Sequence, residues 1–139
     1  MMETNLKKIV YVEDDQDIRT IGEMSLQMGH WQIICCDSGL EAIKMAHQEV
    51  PDLLIMDVMM PGMDGISTLK ILQTDPLMAQ IPVIFMTAKV QFDEINKFKK
   101  LGIIDVIRKP FDPMLLATQV TKIWESITKI PSPSPKSTV

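Results

Sequence analysis

The sequence predicts an α/β fold, a doubly wound parallel sheet of five strands alternating with five helices. Three observations point there. Five short runs rich in Ile, Val and Leu are each followed by a stretch with helical spacing. The third run, Leu53-Leu54-Ile55-Met56, is apolar without alternation, as expected of a strand covered on both faces. Several runs also stop at a polar or charged residue, which places those residues along the carboxyl edge of the sheet.

Taken in order, Leu6–Val12 is the first strand and stops at Glu13-Asp14-Asp15. Ile18, Ile21, Ser25 and Met28 recur at helical spacing until Gly29, a helix stop. Trp31–Cys36 is the second strand, and Ser38 caps a helix carrying Leu40, Ile43 and Ala46. Pro51 closes that helix, and the third strand runs from Asp52 to Asp57. A turn at 61–65 follows, in which Asp64 caps a helix with Ile66, Leu69 and Leu72 on its inner face until Asp75-Pro76. Ile81–Thr87 is the fourth strand and Gln91–Leu101 a helix with Lys toward its C-terminal end, stopped by Gly102. Ile103–Arg108 is the fifth strand. Asp112 starts the last helix, with Leu116, Val120, Ile123 and Ile127 in one stripe. Residues 1–129 are expected to form the one domain, and the Pro/Ser-rich tail 130–139 to be extended and disordered.

Composition narrows the function classes. The net charge is −4, which argues against a nucleic-acid surface as the main business of the chain. Cys35 and Cys36 are adjacent and so point to opposite faces of a strand; both read as reduced, in a cytoplasmic protein. No apolar run approaches the roughly 20 residues of a membrane span, and the first eight residues lack the apolar stretch of a signal peptide.

Glu13, Asp14, Asp57, Thr87 and Lys109 lie at the C-terminal ends of the first, third, fourth and fifth strands. In an open parallel sheet these ends share one edge, where ligands bind as the strand order reverses. Taken singly, each residue has an ordinary role: a helix cap, a turn carboxylate, a strand Thr, a solvated Lys. Their convergence from most of the chain is what local structure would not demand. Carboxylates brought together need a cation, and oxygen donors without His or Cys select a hard one, Mg²⁺ with Mn²⁺ as substitute. One carboxylate can then serve as nucleophile and form an acyl phosphate, with an ammonium and a hydroxyl orienting the phosphoryl oxygens.

The chain resembles the receiver domains of two-component response regulators over about Lys7 to Ile127. The resemblance rests on 8–15 (KIVYVEDD), 39–42 (GLEA), 51–57 (PDLLIMD), 60–65 (MPGMDG), 81–88 (IPVIFMTA) and 109–111 (KPF), all in order. It implies a flavodoxin-like sheet of order 2-1-3-4-5. Asp57 would be the phosphoacceptor, Asp14 a direct metal ligand, Glu13 a ligand through water, and the Met59 carbonyl a further ligand. Thr87 would bond the phosphoryl group and Lys109 pair with it, and the Lys109–Pro110 bond would be cis. The donor would be a phosphohistidine on a sensor histidine kinase or a histidine phosphotransfer protein. The protein would catalyse only its own phosphorylation and slow dephosphorylation, and bind a downstream protein through its fourth helix, fifth strand and fifth helix. Phe92, Ile95, Phe98 and Trp124 are candidates for that face, with Phe98 and Trp124 equally placed to be core.

Three departures from the family pattern stand out. Val106 occupies the position of an aromatic residue that commonly rotates with the Thr. Met59 and Lys89 flank the path of the hydrolytic water and are expected to prolong the phosphorylated state. Other readings are a phosphotransfer intermediate and a degenerate receiver used for docking. A flavin carrier of similar topology is disfavoured by the acidic loop after the first strand.

Overall fold

A computed structural model of the protein describes residues 5–88 and 91–128. The tail and Lys89 fall outside them. Five parallel strands, β1 (Lys8–Val12), β2 (Gln32–Cys36), β3 (Leu53–Asp57), β4 (Val83–Thr87) and β5 (Asp105–Arg108), form one sheet of order β2-β1-β3-β4-β5. The helices are α1 (Gln16–Gln27), α2 (Gly39–Gln48), α3 (Gly65–Gln73), α4 (Phe92–Lys100) and α5 (Leu116–Thr128). The predicted topology is found, with each strand one or two residues shorter at its N-terminal end. One short 3₁₀ turn, Met78–Gln80, was not foreseen.

Alternation along the strands builds two cores. Val10, Val12, Leu54, Met56 and Phe85 face α2, α3 and α4, meeting Ala42, Ala46, Leu69, Leu72 and Phe98. Ile9, Tyr11, Leu53, Ile55, Ile84, Met86 and Ile107 face α1 and α5, meeting Leu26, Leu116, Val120 and Trp124. All five residues of β3 are buried, which explains its run without polar alternation. Each large apolar side chain so placed contributes roughly 1.5–3 kcal/mol. Cys35 and Cys36 fall on opposite faces as free thiols, and burial pushes both up to about 12, so neither is a thiolate at neutral pH.

Several helix details correct the expectations. The buried face of α1 is Gly22, Ser25 and Leu26, whereas Ile21 and Met28 are exposed. The helix ends at Gln27, and the left-handed residue after it is His30, with φ 66°, rather than Gly29. Gly29 is small for another reason: a Cβ there would lie 2.5 Å from the buried Trp31 ring. Leu40 is exposed and α2 packs through Gly39, Ala42 and Ala46. On α5 the buried stripe is Leu116, Val120 and Trp124, and Ile127 is exposed. That helix starts at Leu116, not Asp112; Pro113 disfavours a helical conformation at Asp112, whose carboxylate instead accepts from the Met114 amide at 2.9 Å. Phe98 and Trp124 are core: Phe98 sits edge-on to Phe85, 5.3 Å between centroids, and Trp124 Nε1 donates to Asn5 Oδ1 at 2.9 Å. Phe92 is 76% exposed and Ile95 partly so.

The cap predictions hold. Ser38 Oγ accepts from the Glu41 amide and Asp64 Oδ1 from the Ser67 amide. Gly102, with φ 104°, follows α4 as the stop its position demands. There the Gln73 side chain crosses from α3 to donate to the Leu101 carbonyl at 2.7 Å.

Candidate functional site

The carboxyl ends of β1, β3, β4 and β5 converge as the strand order requires, and they carry the predicted residues together. Glu13 follows β1 and Asp57 ends β3; they are only 1% and 4% exposed. Lys109 follows β5, and its backbone amide donates to the Thr87 carbonyl at 2.9 Å, which sets it beside the end of β4. Thr87 is buried there. The Lys109–Pro110 bond is cis, as expected.

One ammonium joins the buried carboxylates. Lys109 Nζ donates to Glu13 Oε1 at 2.8 Å and to Asp57 Oδ2 at 2.9 Å. Burial pushes the Glu13 carboxyl above its ordinary range, more than the Lys109 and Asp15 hydrogen bonds pull it down. Burial works against the Lys109 ammonium too, but the hydrogen bonds and charges of Glu13 and Asp57 outweigh it and raise Lys109 overall. The second oxygen of Asp57, Oδ1, accepts from the Met59 amide at 3.1 Å, while the Met59 side chain is 64% exposed.

Asp14 and Asp15 take separate roles. Asp15 caps α1, its Oδ1 accepting from the Ile18 amide at 3.0 Å. Asp14 is exposed, and a carboxylate oxygen from each of Glu13, Asp14 and Asp57 lies within 4.8 Å of the others. Three carboxylates there face one ammonium. The donor set is oxygen only, and its surplus negative charge is what a hard divalent cation would neutralise. The residues present therefore fit such an ion.

Close packing fixes the loop after Asp57. A Cβ on Gly65, where α3 begins, would lie 2.7 Å from the Asp57 carbonyl oxygen and 3.0 Å from Val58 Cα. Backbone cannot yield to that contact, so only glycine lets α3 start against the site.

Two residues escaped the sequence reading. Arg19 on α1 reaches back to the acidic loop, its Nη1 donating to the Glu13 carbonyl at 2.8 Å. Its position one turn into a helix was the only available signal. Tyr11 lies beneath the site with a buried hydroxyl that has no hydrogen-bond partner among the described residues. Burial, then the Glu13 charge, raises its pKa far out of reach, so it stays a neutral phenol. Val106 packs half-buried against the core on the α4 side, opposite Phe85 in the sheet.

The chain is similar to known proteins in sequence and in fold. Residues 9–121 match the family model described as "Response regulator receiver domain". The chain is 36% identical over 129 residues, 92% of its length, to the "Alkaline phosphatase synthesis transcriptional regulatory protein PhoP" of Bacillus subtilis, covering 52% of that protein. It spans about half the length of the curated relatives it matches first. Among solved structures, it is similar to the N-terminal domain of a response regulator receiver protein from Methanoculleus marisnigri: 32% identity, TM-score 0.70, 92% of this chain and 98% of that one. It is also similar to the receiver domain of the Francisella response regulator 1452: 26% identity, TM-score 0.77, 88% of this chain and 99% of that one. Among the described residues no helix is long and apolar enough to cross a membrane.

Proposed function

Because this chain belongs to the response regulator receiver domain family, the signalling switches of two-component systems, we propose that Asp57 is the residue it phosphorylates. The observation that carries this reading is the bridge from Lys109 to Asp57 and Glu13. It leaves one buried carboxylate at the sheet edge paired with a cation that can turn to an incoming phosphoryl group.

The donor in this reading is the phosphohistidine of a sensor histidine kinase or of a histidine phosphotransfer protein. An oxygen of Asp57 attacks phosphorus, the P–N bond breaks with its electron pair returning to the imidazole, and a mixed anhydride remains on Asp57. Lys109 neutralises a phosphoryl oxygen as charge shifts, and the Thr87 hydroxyl donates to another. Glu13, Asp14 and Asp57, with the Met59 carbonyl, would hold Mg²⁺, or Mn²⁺ in its place; the ion would supply charge neutralisation to the transferring group. The protein turns over no separate substrate; it catalyses its own phosphorylation and slow dephosphorylation.

Phosphorylation brings roughly −1.5 to −2 charge into the pocket, by analogy with other phospho-residues. Drawing Thr87 and Lys109 toward it moves the ends of β4 and β5, and with them the face of α4, β5 and α5 that would meet a downstream protein. The exposed Phe92 and the partly exposed Ile95 belong to that face. We place the protein in the cytoplasm, where adjacent thiols remain reduced.

Incubation with Mg²⁺ and acetyl phosphate, followed by intact mass, tests the assignment. The wild type gains one phosphoryl group and Asp57→Asn gains none. Equal labelling of Asp57→Asn would move the acceptor elsewhere.

A further inference from the structure

Arg19 occupies an unfavourable place for a cation. It lies in the first turn of α1, where the helix dipole disfavours positive charge. Its side chain folds back over the loop instead of leaving for solvent. One nitrogen, Nη1, lies 2.8 Å from the Glu13 carbonyl oxygen and 3.3 Å from that of Asp14.

Those two carbonyls belong to the peptide units on either side of Asp14. Each unit is planar, so tying both restricts the φ and ψ of Asp14 between them. Asp14 needs that restraint. Among the described residues no hydrogen bond or ion pair holds its carboxylate, in contrast to Glu13 and Asp57, which Lys109 holds. With no partner on the carboxylate, its reach is governed by the Cα–Cβ direction that the backbone sets and by the rotamers open from there. The restraint is itself anchored, because the Arg19 amide donates to the Asp15 carbonyl at 2.8 Å and the Asp15 amide to Glu13 Oε2 at 3.1 Å.

We propose that Arg19 is a positioning residue for the cation site: it clamps the two peptide units flanking Asp14 and so aims the Asp14 carboxylate at the ion shared with Glu13 and Asp57. This rests on the reading of those three carboxylates as a cation site. It assigns Arg19 no contact with ion or phosphoryl group.

The sign of one measurement separates positioning from simple electrostatics. By Coulomb's law alone, removing a positive charge near the site tightens cation binding. Loss of a positioning contact weakens it. Mg²⁺ affinity of the full chain is measured by calorimetry, without phosphodonor, for wild type, Arg19→Met, Arg19→Lys and Asp14→Asn. Positioning predicts that Arg19→Met binds Mg²⁺ about ten-fold more weakly, as losses of metal-site supporting contacts commonly do. Arg19→Lys, which keeps a charged donor, recovers part of that loss. Wild-type or tighter binding by Arg19→Met overturns the proposal. If Arg19→Met does not fold, Arg19→Gln decides, being neutral and too short to reach the carbonyls: weaker binding supports the clamp, equal or tighter binding ends it. Asp14→Asn guards the premise. If it binds Mg²⁺ like the wild type, the cation-site reading itself has failed, whatever Arg19 does.

Discussion

Lys109 and Glu13, 96 residues apart, are joined Nζ to Oε1 at 2.8 Å, and the same nitrogen holds Asp57 at 2.9 Å. Neither carboxylate is solvated, so the ammonium has a structural role whatever chemistry it serves. Lys109→Met would leave two like charges buried side by side. In chelator it should lose about 3 kcal/mol of stability, the scale for orphaning buried partners, and Mg²⁺ should restore much of it. Urea unfolding with and without Mg²⁺ checks this; an unchanged midpoint in chelator would contradict the bridge.

The pH dependence follows from the raised Glu13 pKa. The folded protein holds that proton more tightly than the unfolded chain, whose carboxyl sits near 4.5. Glu13 therefore favours folding most below pH 4.5, and that contribution is lost as pH rises through the folded value. Lys109 is raised as well, so its contribution is present below 10.5 and lost as pH climbs through its folded value. In chelator, wild type should lose stability relative to Glu13→Gln as pH rises from 4.5 toward neutrality. A constant gap between the two unfolding curves across that range would refute the raised Glu13 pKa.

In the reading proposed above, Met59 would shield the phosphoryl group on Asp57. Its amide donates to Asp57 Oδ1 while its side chain is exposed. We expect Met59→Asn to hasten loss of phosphoryl several-fold by admitting and orienting water, and Lys89→Glu to act in the same direction. Decay of the phosphoprotein after removal of acetyl phosphate measures both; unchanged lifetimes would dismiss the shield.

Phe98 and Phe92 lie on one helix with opposite fates. Phe98→Ala, emptying the pocket against Phe85, should cost about 3 kcal/mol. Phe92→Ala should stay within about 0.5 kcal/mol. Phe92→Ala should instead weaken binding of a phosphorylation-dependent partner, so thermal melts and pull-downs need to be read together.

The sheet was legible because its signal is long-range and redundant: five apolar runs and the polar residues that end them. The candidate site was legible for the same reason, since the topology alone brings Glu13, Asp57, Thr87 and Lys109 to one edge. Helix faces were less so. Spacing placed Ile21 and Met28 inward, but the actual face of α1 uses Gly22, whose lack of a side chain admits the Tyr11 ring. Small residues at close approaches carry no hydrophobic signal. Ser38 and Asp64 were readable as caps because their bonds are local. Arg19 was not, because a side chain folding back onto backbone carbonyls leaves no pattern in residue types.

The amide of Gln73 pegs the far end of α4 at Leu101. Any swing of α4 that preserves this bond turns about that end, with the helix as lever arm. Nine residues make an arm of about 13 Å, so a tilt of about 10° carries Phe92 roughly 2 Å while Leu101 stays in place. Such a swing would be graded along the helix, greatest at the exposed aromatic ring and least beside α3.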